Sequence, residues 1–92
     1  MTINDAIKAM NLLDAYHHYV SKVYGKELAT KVIYAYNSID EAVKHVQDEQ
    51  FNGNDIELPY HIDLLVESIL NIKKEEIEPV ILSDWQVLAE AD

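Results

Sequence analysis

The chain has 92 residues, 49% of them apolar, and a formal net charge of −10 from seven cations and seventeen anions. A chain of that length makes one domain with one core, and the absence of cysteine removes disulfides, thiolate metal sites and cysteine nucleophiles together. No window approaches the roughly 18 uninterrupted apolar residues of a membrane span, and the opening MTINDAIKAM does not read as a signal peptide, so a cytoplasmic protein is expected.

In the first segment Ile3, Ala6, Met10, Leu13, His17, Val20 and Tyr24 recur at threes and fours, which predicts an amphipathic helix over 3–24 with His17 on its apolar seam. Thr2 or Asn4 is the expected cap, Lys22 suits the last turn, and Gly25 is the natural residue past the end. Leu28, Val32, Ile33 and Tyr36 extend a helical pattern over 26–36, although K31-V-I-Y-A-Y36 also carries strand propensity, the one α+β variant of the fold. Ser38-Ile39-Asp40-Glu41 has the form of a capping box opening a third helix over 39–50. Phe51 to Asp55 is the clearest loop. Pro59 then sits in a first turn, and Ile62, Leu65, Val66, Ile69 and Ile72 give a helix to about 72. Pro79 cannot sit in a helix interior and Ser83-x-x-Gln86 could itself be a cap; a last helix is placed over 79–90, with Ile81, Trp85 and Leu88 inward. The expected fold is all-α, a single small bundle of four to five helices.

Charge is divided unevenly along this series. Up to Val46 five lysines balance five acids; from Gln47 onward Lys73 and Lys74 face twelve acids, and the whole imbalance lies there. Arginine, the usual residue for bidentate phosphate and base recognition, does not occur.

The motifs that suggest chemistry each have a simpler reading. His17 and His18 point about 100° apart on a helix and cannot readily share one ion; a packed His17 and a surface Asp14/His18 pair account for them. Glu41, His45 and Glu49, and likewise Glu57 and His61, stand at ion-pair spacing, but no Glu-x-x-His or His-Glu-x-x-His occurs. Asp48, Gln50, Asn52, Gly53 and Asn54 match the early positions of a calcium loop, yet Pro59 stands where its bidentate glutamate belongs. No nucleophile elbow, P-loop or dinucleotide fingerprint is present. The expectation is a non-enzyme with no cofactor and no metal site.

What remains is the acidic half. Asp63 and Glu67 form a like-charge pair one turn apart, Glu75, Glu76 and Glu78 crowd before the last helix, and such pairs cost a few tenths of a kcal/mol each. The expected function is a protein-binding module. Its acids Asp55, Glu57, Asp63, Glu67, Glu75, Glu76, Glu78 and Asp84, with Tyr34 as an outward contact, would dock on a basic surface such as that of a nuclease or DNA-binding protein. Small acidic inhibitors of phages and mobile elements, immunity proteins and antitoxins act in this way by analogy. The alternative is a self-associating structural or regulatory protein, a homodimer through the first helix, whose acid serves only solubility.

The same charge distribution predicts no direct nucleic-acid binding, because no cationic cluster beyond Lys73-Lys74 exists to release counterions. In a gel-shift assay at physiological salt neither duplex nor single-stranded DNA should be retained at micromolar protein; retention of either contradicts the prediction.

Overall fold

Thr2 opens the first helix. Its hydroxyl oxygen accepts from the Asp5 N–H at 3.2 Å, and Asp5 Oδ2 accepts from the Thr2 N–H and hydroxyl at 3.3 and 3.0 Å. This is a reciprocal cap with aspartate in the place of the usual glutamate, and the bonds from Thr2 hold the Asp5 carboxyl below its ordinary range. In the computed structural model, which describes residues 2–91, the helices are α1 Ile3–Val23, α2 Lys26–Phe51, α3 Tyr60–Leu70 and α4 Pro79–Glu90. A 3₁₀ turn occupies Lys74–Glu76. The fold is all-α, and no strand occurs among the described residues: 31–36 is helical.

Two helices expected on either side of Ser38 are one. From Lys26 to Phe51, α2 runs unbroken for 26 residues, about 39 Å at 1.5 Å per residue. No Gly or Pro interrupts it, and Ser38 is not a cap. Its hydroxyl donates back to the Tyr34 carbonyl at 3.0 Å and lies 3.3 Å from the Ala89 carbonyl, serving the end of α4 instead of the start of a helix.

Both sharp ends of the long helices use glycine. Gly25 has φ +93°, and the Tyr24 and Gly25 N–H groups both reach the Val20 carbonyl, so α2 begins at once alongside α1. Gly53, φ +87°, stops α2: its N–H meets the Gln50 carbonyl at 3.0 Å and the Asn54 N–H meets the Glu49 carbonyl at 2.8 Å. These two crossed bonds satisfy carbonyls that the helix leaves open.

The helices form two antiparallel hairpins laid side by side. In the first, Thr2 and Ile3 lie by Val46 and Gln50, while His17 and Ser21 lie by Lys26 and Thr30. In the second, α3 and α4 fold back through 71–78, with Ser68 opposite Trp85. Across the seam like directions adjoin. Lys31 meets Ser83 and Ser38 meets Ala89, so α2 and α4 run parallel. The whole measures 44 × 21 × 19 Å.

The core is filled from all four helices by Leu13, Val32, Ile39, Leu65, Ile69 and Leu82 among others, and Trp85 is the largest fully buried side chain. Its indole N–H donates to Ser68 Oγ at 2.8 Å, and its ring stacks on Tyr16 at 6.2 Å between centroids. Here the seam of α1 departs from expectation. Ala6, Ala9, Leu13, Tyr16 and Val20 are buried, so Tyr16 takes the core place and His17 is only half-buried. In α4, likewise, Leu82 is buried beside Trp85 while Ile81 and Leu88 lie at the margin. In α1 the buried stripe turns from His17, which borders α2, to Tyr16, which meets Trp85 and the Ile72 carbonyl.

Tyrosines of α1 and its C-cap fasten the α3–α4 connection. Tyr16 donates to the Ile72 carbonyl at 3.0 Å and Tyr24 to the Ile77 carbonyl at 2.7 Å; Lys74 lies over the Tyr19 ring, 5.2 Å from its centroid, and Ile77 is buried. Residues 71–78 thus form a strap across the C-terminal half of α1. Burial, and then the Glu75 carboxylate, push the Tyr16 hydroxyl above its ordinary range. A tyrosine whose folded pKa is raised contributes stability that is complete below about pH 10, the unfolded range, and is lost as pH climbs through the folded value. Tyr16→Phe should cost about 1 kcal/mol at neutral pH through the lost bond, a fall of about 4–8 °C in thermal midpoint. It should also flatten the alkaline decline of the midpoint above pH 10. A variant as steeply sensitive to alkali as the parent contradicts the assignment.

Candidate interaction surface

Folding converts the uneven sequence charge into an uneven solid. The α1/α2 hairpin, residues 3–51, carries five lysines and seven acids; residues 52–91 carry two lysines and nine acids. Neither α3 nor α4 contains a lysine. Both lysines of that half lie in the strap, where Lys74 is turned onto Tyr19 of α1. Among the described residues no polar or charged side chain is fully buried, so each charged group keeps some contact with water.

The individual acids form a band along one side and around both its ends. Asp55 and Glu57 are exposed in the loop 52–59, and Glu57 borders a crevice with Thr2, Ile3, Gln47 and Gln50 at the end where α1 begins. Asp63 lies in the first turn of α3, a position favoured by the positive helix end, and Glu67 follows one turn later. Glu67 is exposed whereas Asp63 is half-buried and in contact with its surroundings. Glu75 and Glu76 occupy the 3₁₀ turn, Glu78 is the residue before α4, and Asp84 is exposed on its middle turn. Asp55 and Glu57 are therefore separated from Glu75, Glu76 and Glu78 by the length of α3, about 16 Å for its eleven residues. They make a strip and not a pocket.

Tyr34 stands apart from that strip. It is exposed on α2 in a crevice with Glu27, Thr30, Lys31 and Gln86, at the seam of α2 with α4, among residues of the near-neutral hairpin. What the sequence reading overlooked is apolar. Val80 and Val87 on α4 are each 66% exposed, and Tyr60 at the start of α3 is 76% exposed. The sequence signal was present in the spacing, because Val80 and Val87 fall off the Leu82–Trp85 stripe on the opposite side of the helix.

The histidines and acids that stand at metal-ligand spacing in the sequence are dispersed. His17 borders a crevice of about 220 Å³ between α1 and α2 with Asp14, Ile33 and Tyr36, and His18 faces solvent. His45 is exposed, and His61 borders a separate crevice with Glu41 and Ala89. Among the described residues no three of His, Cys, Asp and Glu are gathered where they could hold a metal. The stretch with a calcium-loop likeness is a helix end: Asp48 and Gln50 belong to α2, and the Asn54 amide donates to Glu49 Oε2 at 2.8 Å. Among those residues no helix is long and apolar enough to cross a membrane.

No family model, curated protein or solved structure matches the chain.

Because the carboxylates lie apart, excess zinc or calcium should leave the thermal midpoint unchanged; an ion bound only by the native state must raise it. A rise of several degrees with either ion would reveal a site.

Proposed function

We propose that this protein is a small acidic binding module that docks the α3/α4 side of its bundle on a basic surface of a partner protein, and inhibits that partner by occupying a surface made for nucleic acid. The observation that supports the reading is the segregation of charge by hairpin, with lysine absent from both α3 and α4. A surface carrying charge for solubility alone ordinarily mixes signs, as the α1/α2 hairpin does; there the charges also pair locally, Lys44 with Asp40 at 2.9 Å. A one-sign face steers association with an oppositely charged surface and rejects like-charged ones. Pairing of two copies through the seam of α1 is the weaker reading, because Ala6, Ala9, Leu13, Tyr16 and Val20 are already buried within the chain.

The test uses a partner retained from native host lysate and eluted by a salt gradient, with association followed by surface plasmon resonance. Glu67→Lys with Asp84→Lys should slow association about tenfold or more, and rising salt should slow the parent in the same sense. Asp14→Lys with Glu27→Lys, on the other hairpin, should do little. Asp63 is left in place because it is half-buried, and Asp5 because it caps α1. Duplex DNA should compete for the partner. Equal association of both variants, or indifference to DNA, removes the proposal.

A further inference from the structure

The outer face of α4 has a feature that charge does not explain. The inner side of this helix buries Leu82 and Trp85. Its side toward α2 carries Ser83, bonded to Lys31, and Gln86, beside Tyr34. Its side toward α3 is joined through Trp85 and Ser68. Val80, Asp84 and Val87 are left on one outward stripe at intervals of four and three, the two valines being largely exposed. Valine is a mediocre helix former because its branched Cβ restricts χ1, and at an exposed helical site alanine, glutamate or lysine serves better. Neither packing nor propensity accounts for two of them here.

We propose that this stripe is the anchor of the docking face and that its occupant is a cationic amphipathic helix of the partner. The inference rests on the reading that the α3/α4 side binds a basic protein, and it names the element bound. Val80 and Val87 stand seven residues apart, about 10.5 Å along the axis, which is the spacing of successive same-face positions on an opposing helix. Apolar residues at i, i+3, i+4 and i+7 on that helix meet the valines. Its flanking lysines or arginines meet Asp84 and Glu90, which lie between and beyond the valines on α4, and Glu78, the residue before that helix. The apolar contact supplies residence and the carboxylates supply orientation and approach. An anionic membrane or a nucleic acid meets the same carboxylates and is repelled.

The test is a titration of isotope-labelled protein, followed by NMR amide shifts, with two synthetic 18-residue peptides of identical leucine, lysine and alanine composition. One places its leucines on a single helical face, and the other has them scrambled. The amphipathic peptide should bind about tenfold tighter than the scrambled one and shift amides across 78–91. Val80→Ser with Val87→Ser should bring it down to the scrambled level; both positions are exposed, and an unchanged far-UV circular dichroism spectrum checks that the helix persists. Equal binding of both peptides, or shifts confined to the α1/α2 side, overturns the α4 anchor while leaving charge-led docking in place. Absence of binding by either peptide at low salt overturns both. Shifts across 78–91 on raising protein concentration alone assign the stripe to a second copy and overturn the cationic helix.

Discussion

A fully buried indole has one polar atom to satisfy, and in this bundle the way Trp85 satisfies it sets the positions of three helices at once. Its N–H reaches Ser68 on α3, and its face lies on Tyr16 of α1. Once Tyr16 is stacked there, its hydroxyl falls within 3.0 Å of the Ile72 carbonyl at the start of the strap, and Tyr24 closes the other end on Ile77. Truncating such a ring costs about 3–5 kcal/mol, and leaving its N–H unpaired about 1–3 kcal/mol. Against a total of about 5–15 kcal/mol for a folded domain, the node carries a large share of the stability, binding α4 to α3 through Ser68 and to α1 through Tyr16.

The helical fold was legible in the sequence because its punctuation is local. Thr2 and Asp5, Gly25, Gly53 and Pro79 act through bonds or dihedrals within a few residues, and each marks a boundary near where it was expected. Ser38 was misread because its serine-x-x-glutamate pattern is the same in a cap and in mid-helix. The Ala89 carbonyl that engages its hydroxyl is 51 positions away, and no local rule sees it. Tyr16 and His17 were exchanged for a related reason: both fit a three-four spacing, and only the place of Trp85 decides which faces inward. The acids of the candidate surface were legible as charge. The exposed valines of α4 were passed over although their spacing sets them off the Trp85 stripe, since an apolar residue in a helix is read as core until the packing partner is known.

Charge and fold are nearly independent here. The core residues are apolar, with Tyr16 and Trp85 the members that bear polar atoms, and each finds a partner for its own. The acids of the second hairpin occupy a loop, a 3₁₀ turn and helix surfaces in contact with water, where like-charge neighbours cost only a few tenths of a kcal/mol. Such a surface is free to be shaped by what it binds, because packing asks little of it. The lysines fit this division: Lys31 and Lys74 are held by Ser83 and the Tyr19 ring, on the seams and not on the outer faces of α3 and α4.

The chain contains a single tryptophan, and its burial at the junction of α1, α3 and α4 makes it an internal optical reporter of unusual selectivity. Its emission depends on whether the two hairpins remain together, since separating them exposes the indole and removes the stacked tyrosine. The outer stripe of α4 lies on the far side of the same helix. Occupation of that stripe and separation of the hairpins are therefore spectroscopically distinct events, the first leaving the surroundings of the indole unchanged and the second moving its emission to longer wavelength.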